Sequence, residues 1–148
     1  MTDDIKKRLD VVLVAGGKYH DIDFARLELL KLLAEDDRIR TRVYEDYSNL
    51  HAISNADFLI TYTCDVRPTL EEQKVLKNFV SNGKRWLALH GTNSILQFLS
   101  DGRVDCPRVA PIFMETLGSQ FLSHPPIEPY TVTVADGEHH LVEGVEPF

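Results

Sequence analysis

The chain of 148 residues lacks several features that would place it in a special class of protein. No stretch approaches the roughly 20 consecutive apolar residues of a transmembrane helix, so we expect no membrane partner. The residues from Met1 to Asp4 include two acids, whereas a secretory signal begins basic and continues apolar, and we therefore expect a cytoplasmic protein. A net charge of -7 provides no basic face for a phosphate backbone, which argues against nucleic acid as a partner.

Cysteine is also scarce in this sequence. Cys64 and Cys106 are too few for a disulfide framework or a zinc knuckle, and we expect both to stay free in a reducing compartment. The sequence shows no internal repeat, no linker and no second domain. With 43% hydrophobic and 26% charged residues, its composition is typical of one globular domain.

Apolar segments alternate with amphipathic ones, a pattern typical of a parallel sheet covered by helices on both faces. Strands are predicted at residues 10–14, 39–44, 57–63 and 85–90. Most of these segments are apolar without alternation, as expected for strands that are buried on both faces. The sequence therefore predicts an α/β fold with a mostly parallel central sheet.

Helices are predicted between these strands. The first helix covers residues 23–34, and Asp21 or Asp23 can cap its free amides. Its apolar stripe is expected to contain Phe24, Leu27, Leu30 and Ala34, whereas Arg26, Glu28, Lys31 and Glu35 face water. A later helix begins at a capping box formed by Thr69 and Glu72 and ends at Gly83.

The pattern becomes less regular after the fourth strand. The turn at residues 91–94 is predicted to lead into a helix through Leu99, which gives the strand-turn-helix shape of a nucleophile elbow. A further helix is expected over residues 111–117, with Gly118 after its end. Residues 130–134 alternate between apolar and polar, which predicts an edge or antiparallel strand.

Three polar clusters follow strands of the predicted sheet. They lie at residues 16–21, 64–67 and 90–93. Because ligands of open parallel sheets bind beyond the carboxyl ends of the strands, the clusters are expected to form one pocket. Each cluster also has a structural interpretation, since glycines shorten turns, Asp21 can cap a helix, and Asp65 can pair with Arg67.

His90 is the most informative single residue. At a strand-to-helix turn, an imidazole lies near helix amides that disfavour its protonation, so we expect it to be neutral. A neutral imidazole can act as a general base or bind a metal, and the amides of Gly91 and Thr92 can receive a developing oxyanion. The structural alternative is a histidine that is hydrogen-bonded into the loop.

Four segments together resemble the ThuA-like family, which is named for trehalose utilisation. They are residues 16–21 (GGKYHD), 61–65 (TYTCD), 87–92 (LALHGT) and 117–126 (LGSQFLSHPP). The resemblance covers nearly the whole chain. It implies a flavodoxin-like three-layer α/β/α sandwich of the class I glutamine amidotransferase-like superfamily. It also implies an enzyme of carbohydrate metabolism acting on trehalose or a related disaccharide or keto-sugar.

The resemblance also implies a set of site residues, since His20, Asp21, His90 and His124 match recurring polar positions of the family. The catalytic residues are predicted to be His90, His20 and Asp21. The substrate is predicted to contact Gly16, Gly17, Tyr19, Asp65, Arg67, Gly91, Thr92, Asn93 and His124. If His20, His90 and His124 converge, they would bind a divalent metal such as zinc.

Glutamine amidotransfer is not expected, because His90 stands where the amidotransferases carry their nucleophilic cysteine. The alternative function is a non-catalytic domain that binds a sugar or a protein partner. Sugar stacking would then involve Tyr19, Tyr62 or Trp86, of which Trp86 better fits the core. ThuA-like domains usually continue past the segment matching residues 139–144, so this single domain is expected to lack C-terminal strands. Its open edge would be compatible with a homodimer.

Overall fold

The computed structural model describes residues 7–146 and 148 and has a four-stranded parallel sheet at its centre. The strands are β1 (Leu9–Gly17), β2 (Ile39–Tyr44), β3 (Phe58–Cys64) and β4 (Arg85–Ala88). They lie in the order β2-β1-β3-β4, and each neighbouring pair is parallel. The predicted α/β class with a flavodoxin-like parallel sheet is therefore confirmed.

Helices cover both faces of this sheet. They are α1 (Ile22–Leu33), α2 (Leu50–Asn55), α3 (Leu70–Ser81) and α4 (Pro111–Leu117). One hydrophobic cluster joins Val11 and Leu13 of β1 to α1, and the other joins Val12 and Val14 to the remaining helices. This division follows from the pleat of β1, because successive side chains point to opposite faces.

No helix among residues 7–146 and 148 has the length and apolarity needed to cross a membrane.

The start of α1 is set by Asp21, whose carboxylate accepts a hydrogen bond from the amide of Phe24 at 2.9 Å. The predicted apolar stripe of this helix is wrong at three positions, since Phe24 is 61% exposed, Leu27 is 51% exposed, and Ala34 is exposed just after the last helical residue. The sheet is instead contacted by Ile22, Leu29, Leu30 and Leu33. Helical spacing from the Asp21 cap places these four residues on one side, and the stripe is therefore rotated from the predicted one.

Arg26 lies on the sheet side of α1 and does not face water as predicted. It donates from Nη2 to the carbonyl oxygen of Ala15 at 2.8 Å. Its other terminal nitrogen, Nη1, forms an ion pair with Asp23 at 2.8 Å. The long side chain thus connects α1 to the end of β1.

The helix α3 forms as predicted. Thr69 Oγ1 accepts from the amide of Glu72, and the carboxylate of Glu72 accepts from the amide of Thr69. Leu76 and Phe79 are buried against the sheet, and Gly83 has a φ of 78° just after the helix. The helix α4 also agrees with prediction, because Pro111 begins it and Gly118 follows it in a left-handed conformation.

Two predictions for the second half of the chain are wrong. No helix follows the turn at residues 91–94; the chain instead forms β5 (Gln97–Phe98), which pairs with antiparallel β6 (Val104–Asp105). Residues 130–134 form no strand, although Val132 exchanges two backbone hydrogen bonds with Phe148. The first difference has a long-range cause, since Asp65, in the loop after β3, bonds to the carbonyl of Ser94 and to the amide of Leu96.

Candidate active site

The end of β1 depends on two glycines, Gly16 and Gly17, whose surroundings leave no room for a side chain. A Cβ at Gly16 would lie 2.0 Å from the carbonyl oxygen of Glu45, and one at Gly17 would lie 1.9 Å from that of Cys64. Gly17 also has a φ of +106°, a conformation that residues with a side chain rarely adopt. Gly16 and Gly17 were both predicted to contact substrate. They are needed here because the backbone of β1 passes close to the backbone at Glu45 and Cys64.

Two imidazole rings meet at the carboxyl edge of the sheet. The ring centroids of His20, after β1, and His90, after β4, are 4.9 Å apart. The ring of His20 also contacts Tyr62 edge to face, with centroids 6.1 Å apart. His20 is half-buried and His90 is exposed, so both remain accessible from solvent. The structure thus brings together two of the three predicted catalytic side chains.

The turn that carries His90 is held from inside by Thr92. The buried hydroxyl of Thr92 lies 3.0 Å from Thr61 Oγ1 and donates to the carbonyl of Thr61. The amide of Thr92 donates to the carbonyl of Leu89, so it is engaged within the turn and does not pair with Gly91 in an oxyanion hole. Amides at the start of a helix were also predicted to lie near His90 and to disfavour its protonation. No helix begins at this turn, so the structure does not provide them.

Asp65 connects three loops around the site. Its carboxylate accepts from Lys18 Nζ at 3.1 Å and from the amide of Leu96 at 3.0 Å, and its own amide donates to the carbonyl of Ser94. The hydrogen bond to this carboxylate raises the pKa of the Lys18 amine. Arg67, the other predicted partner, is exposed and forms no ion pair with the residues that the structure describes. The carboxylate of Asp65 is mostly buried and therefore holds these loops together from inside the protein.

Replacement of Asp65 tests this bracing role. We expect Asp65→Ala to lower the free energy of unfolding by about 2 kcal/mol, because a partly buried amide loses its acceptor and alanine tolerates the φ of 58° poorly. Asp65→Asn should cost less than about 1 kcal/mol, since asparagine suits this backbone and keeps an acceptor for Leu96. Urea denaturation of the two variants measures the difference.

The control for this comparison is Glu28→Ala, which removes a surface ion pair with Lys31 on α1. We expect a loss of less than about 0.5 kcal/mol there. Equal effects of alanine at positions 65 and 28 would show that the carboxylate of Asp65 does not brace the loops.

Asp21 and Asn93, both predicted site residues, have local partners. Asp21 caps α1 through its bond with Phe24, which assigns its carboxylate to the helix. Asn93 Nδ2 donates to Ser119 Oγ at 3.0 Å, and the backbone carbonyl oxygen of Asn93 accepts from the amide of Phe121. Asn93 thereby connects the turn after β4 to the segment after α4.

His124 does not join the other two histidines. Its Nδ1 lies 2.7 Å from the carbonyl of Pro125, and its ring contacts Phe121 with centroids 6.2 Å apart. Across residues 7–146 and 148, no three His, Cys, Asp or Glu side chains are grouped as a metal ion requires. The structure therefore does not form the predicted metal site from His20, His90 and His124.

Cys64 lies at the end of β3, next to the turn that contains Gly91. Both Cys64 and Cys106 are buried free thiols. Burial raises the pKa of the Cys64 thiol, and the carboxylate of Asp65 acts in the same direction. Because a nucleophilic cysteine needs a lowered pKa, this environment favours a packing role for Cys64.

A cavity of about 340 Å³ lies apart from the predicted site residues, between the start of α4 and the segment at residues 120–122. It is lined by Arg108, Val109, Pro111, Met114, Gln120 and Leu122. The histidine pair instead lies on an open edge of the sheet. The chemistry of the side chains, and not the depth of a cavity, therefore marks the candidate site.

Phe98 is a neighbour of the site that the sequence pattern does not indicate. Its ring, in β5, lies with its centroid 5.7 Å from that of Tyr19, the residue before His20. Phe98 lies in a segment predicted to be the end of a helix through Leu99, and no periodicity marks this side chain as functional. Its position depends on the hydrogen bond between Leu96 and Asp65, which joins residues far apart in the chain.

Comparisons of the chain with protein-family models, with characterised proteins and with solved structures find no match. The candidate site is therefore defined by its own geometry. It consists of His20, whose ring contacts both His90 and Tyr62, and of the ring pair of Tyr19 and Phe98, of which Tyr19 directly precedes His20 in the chain.

Proposed function

We propose that this chain is a ThuA-like domain that acts as an enzyme on a carbohydrate, with His20 and His90 as its acid and base. The observation that carries this proposal is the 4.9 Å separation of the two ring centroids at the carboxyl edge of the sheet. In parallel α/β folds this edge is where ligands bind. The sequence segments that resemble ThuA-like proteins supply the substrate class, a disaccharide such as trehalose or a related keto-sugar.

The imidazole pair suits proton transfer to and from a sugar. A neutral imidazole carries one nitrogen that accepts a proton and one that donates, and histidine is the side chain that exchanges protons near neutral pH. With two rings side by side, the neutral ring accepts a proton from water or a sugar hydroxyl, while the other ring, protonated as imidazolium, delivers its proton to the departing oxygen and becomes neutral. This division of roles supports a hydrolase or lyase reaction.

Other chemistries find less support at this edge. A metal-dependent reaction would need ligands beyond the two imidazoles, and no third metal-binding side chain joins them in the part of the chain that the structure describes. Glutamine amidotransfer would need a thiolate, and burial favours the neutral thiol of Cys64.

The test is turnover of trehalose, maltose and their oxidised keto forms by the parent protein, His20→Ala and His90→Ala. We expect each variant to lose at least about 100-fold in kcat/KM, the usual effect of removing a general acid or base. The matched control is His140→Ala, because the ring of His140 stacks on His139 and not on the pair. Unchanged melting temperatures would show that the variants fold.

Two outcomes would contradict the proposal. Turnover by His90→Ala at the parent rate would remove this imidazole from the reaction. Sugar binding without turnover in the parent protein would instead support the second candidate, a non-catalytic carbohydrate-binding domain, which the exposed aromatic rings near the pair favour.

A further inference from the structure

Two aromatic side chains are exposed in contact with each other beside the histidine pair. Tyr19 and Phe98 are each 57% exposed, although their ring centroids are only 5.7 Å apart and their planes are inclined by 49°. Aromatic rings contribute large apolar areas, so a folded chain normally covers them. Here both rings remain largely exposed, and Tyr19 directly precedes His20 in the chain.

The position of Tyr19 is built into the backbone. Its φ is 67°, a left-handed conformation that is uncommon for a residue with a large side chain. The preceding residue, Lys18, is held at its backbone and at its side chain. Its amide donates to the carbonyl of Cys64, and its amine donates to the carboxylate of Asp65. A residue with a strained backbone, next to one that is held by two hydrogen bonds, indicates that the direction of its side chain matters.

The position of Phe98 depends on the same carboxylate. Ile95 is buried in the core, and the amide of Leu96 donates to Asp65. Two residues later, Phe98 projects from β5, which the pairing with β6 keeps extended. One carboxylate therefore fixes both loops that carry the aromatic rings, although the rings come from distant parts of the sequence.

We infer that Tyr19 and Phe98 form a stacking platform for one pyranose ring of the substrate. A pyranose presents an apolar face of C–H groups, which packs on aromatic rings, and hydroxyls around its rim, which need polar partners. The exposed amine of Lys18, the residue before Tyr19, supplies such a partner. Because Tyr19 directly precedes His20 in the chain, the rest of a sugar held on the platform would reach toward the imidazole pair.

A ring-binding platform of this kind discriminates by shape more than by charge. Lys18 is paired with Asp65, so a neutral sugar leaves that ion pair intact. A phosphorylated ligand would compete for the same amine. The platform therefore accommodates a neutral disaccharide without breaking the ion pair of Lys18 and Asp65.

The test is a ligand-observed NMR titration of trehalose and maltose, which gives Kd for the parent protein and for variants. We expect Phe98→Leu to weaken binding about 5- to 10-fold, since leucine is apolar but offers no ring face. Phe98→Tyr should stay within about twofold of the parent protein. The control is Phe24→Leu on α1, another exposed phenylalanine, which should leave Kd unchanged.

A second variant removes the other ring without strain. Tyr19→Asn suits the left-handed backbone and should therefore fold at least as stably as the parent, yet bind disaccharides about 5- to 10-fold more weakly. Sugar binding by Tyr19→Asn and Phe98→Leu at parent affinity, or no sugar binding by the parent protein at all, would overturn the platform.

The platform rests on the proposed function, because it takes the ligand of the site to be a carbohydrate, and the two can fail separately. If His90→Ala loses turnover while Phe98→Leu keeps the parent Kd, the platform is wrong and the acid/base roles stand. If Phe98→Leu binds weakly while His90→Ala turns over normally, the platform stands and the acid/base roles are wrong.

Discussion

Gly17→Ala is expected to lower the free energy of unfolding by about 3 kcal/mol or more. The new Cβ would lie 1.9 Å from the carbonyl oxygen of Cys64, and 3.0 Å from its amide nitrogen. Both are backbone atoms of the neighbouring strand, so they cannot turn aside as the end of a flexible side chain would. The φ of +106° adds conformational strain for any residue with a side chain.

Substitutions at two other glycines separate the effect of the steric contact from the effect of the positive φ. Gly83 also has a positive φ, of 78°, but a Cβ there meets no atom within 4 Å, so Gly83→Ala should cost only about 1 kcal/mol. Gly137 has neither constraint, and Gly137→Ala should be nearly neutral. Urea denaturation of the three variants gives the comparison. A loss at Gly17 no larger than that at Gly83 would show that the contact with Cys64 is relieved by a small shift.

Gly17 also bears on the candidate site, because it is three residues before His20. The same substitution should separate β1 from the end of β3 and displace the loop that carries Tyr19 and His20. We therefore expect that any folded fraction of Gly17→Ala would bind sugar less well than the parent protein. The role of this glycine in ligand binding is then indirect, through the position of the loop.

Local sequence signals were sufficient for the sheet and for α3. The central strands are continuous apolar segments, and the capping box of Thr69 and Glu72 identifies the start of α3 from adjacent residues alone. The helix α2 was not predicted, because six residues give too short a period to recognise. Its cap, Asn49, which accepts a bond from the amide of Ala52, was the available signal.

Long-range hydrogen bonds explain where prediction fails near the site. The segment after Gly91 has the turn residues of a helix start, but Asp65 bonds to the amide of Leu96 and thereby keeps the chain extended. The meeting of His20 and His90 was expected from the convergence of loops at one edge. The position of the Phe98 ring was not expected, since it depends on the hydrogen bond between Asp65 and Leu96, which are 31 positions apart.

Phe113→Ala is expected to lower the free energy of unfolding by about 3–5 kcal/mol. Phe113 is completely buried in α4, and its ring contacts Tyr47 and Trp86 with centroids 5.5 and 5.8 Å apart. Alanine would leave a cavity between these two large rings. Trp86 is also fixed by a hydrogen bond from its indole nitrogen to Thr61, so it cannot easily move to fill the space.

The matched control is Phe24→Ala, which removes the same side chain from a position that is 61% exposed and should cost less than about 1 kcal/mol. A smaller effect at Phe113 than at Phe24 would mean that α4 does not pack on the sheet as described. The consequence reaches the candidate site, because Thr61 accepts the bond from Trp86 and lies 3.0 Å from the hydroxyl of Thr92. Loss of Phe113 should therefore loosen the turn that carries His90, which would be seen as altered NMR signals of that imidazole in the folded protein.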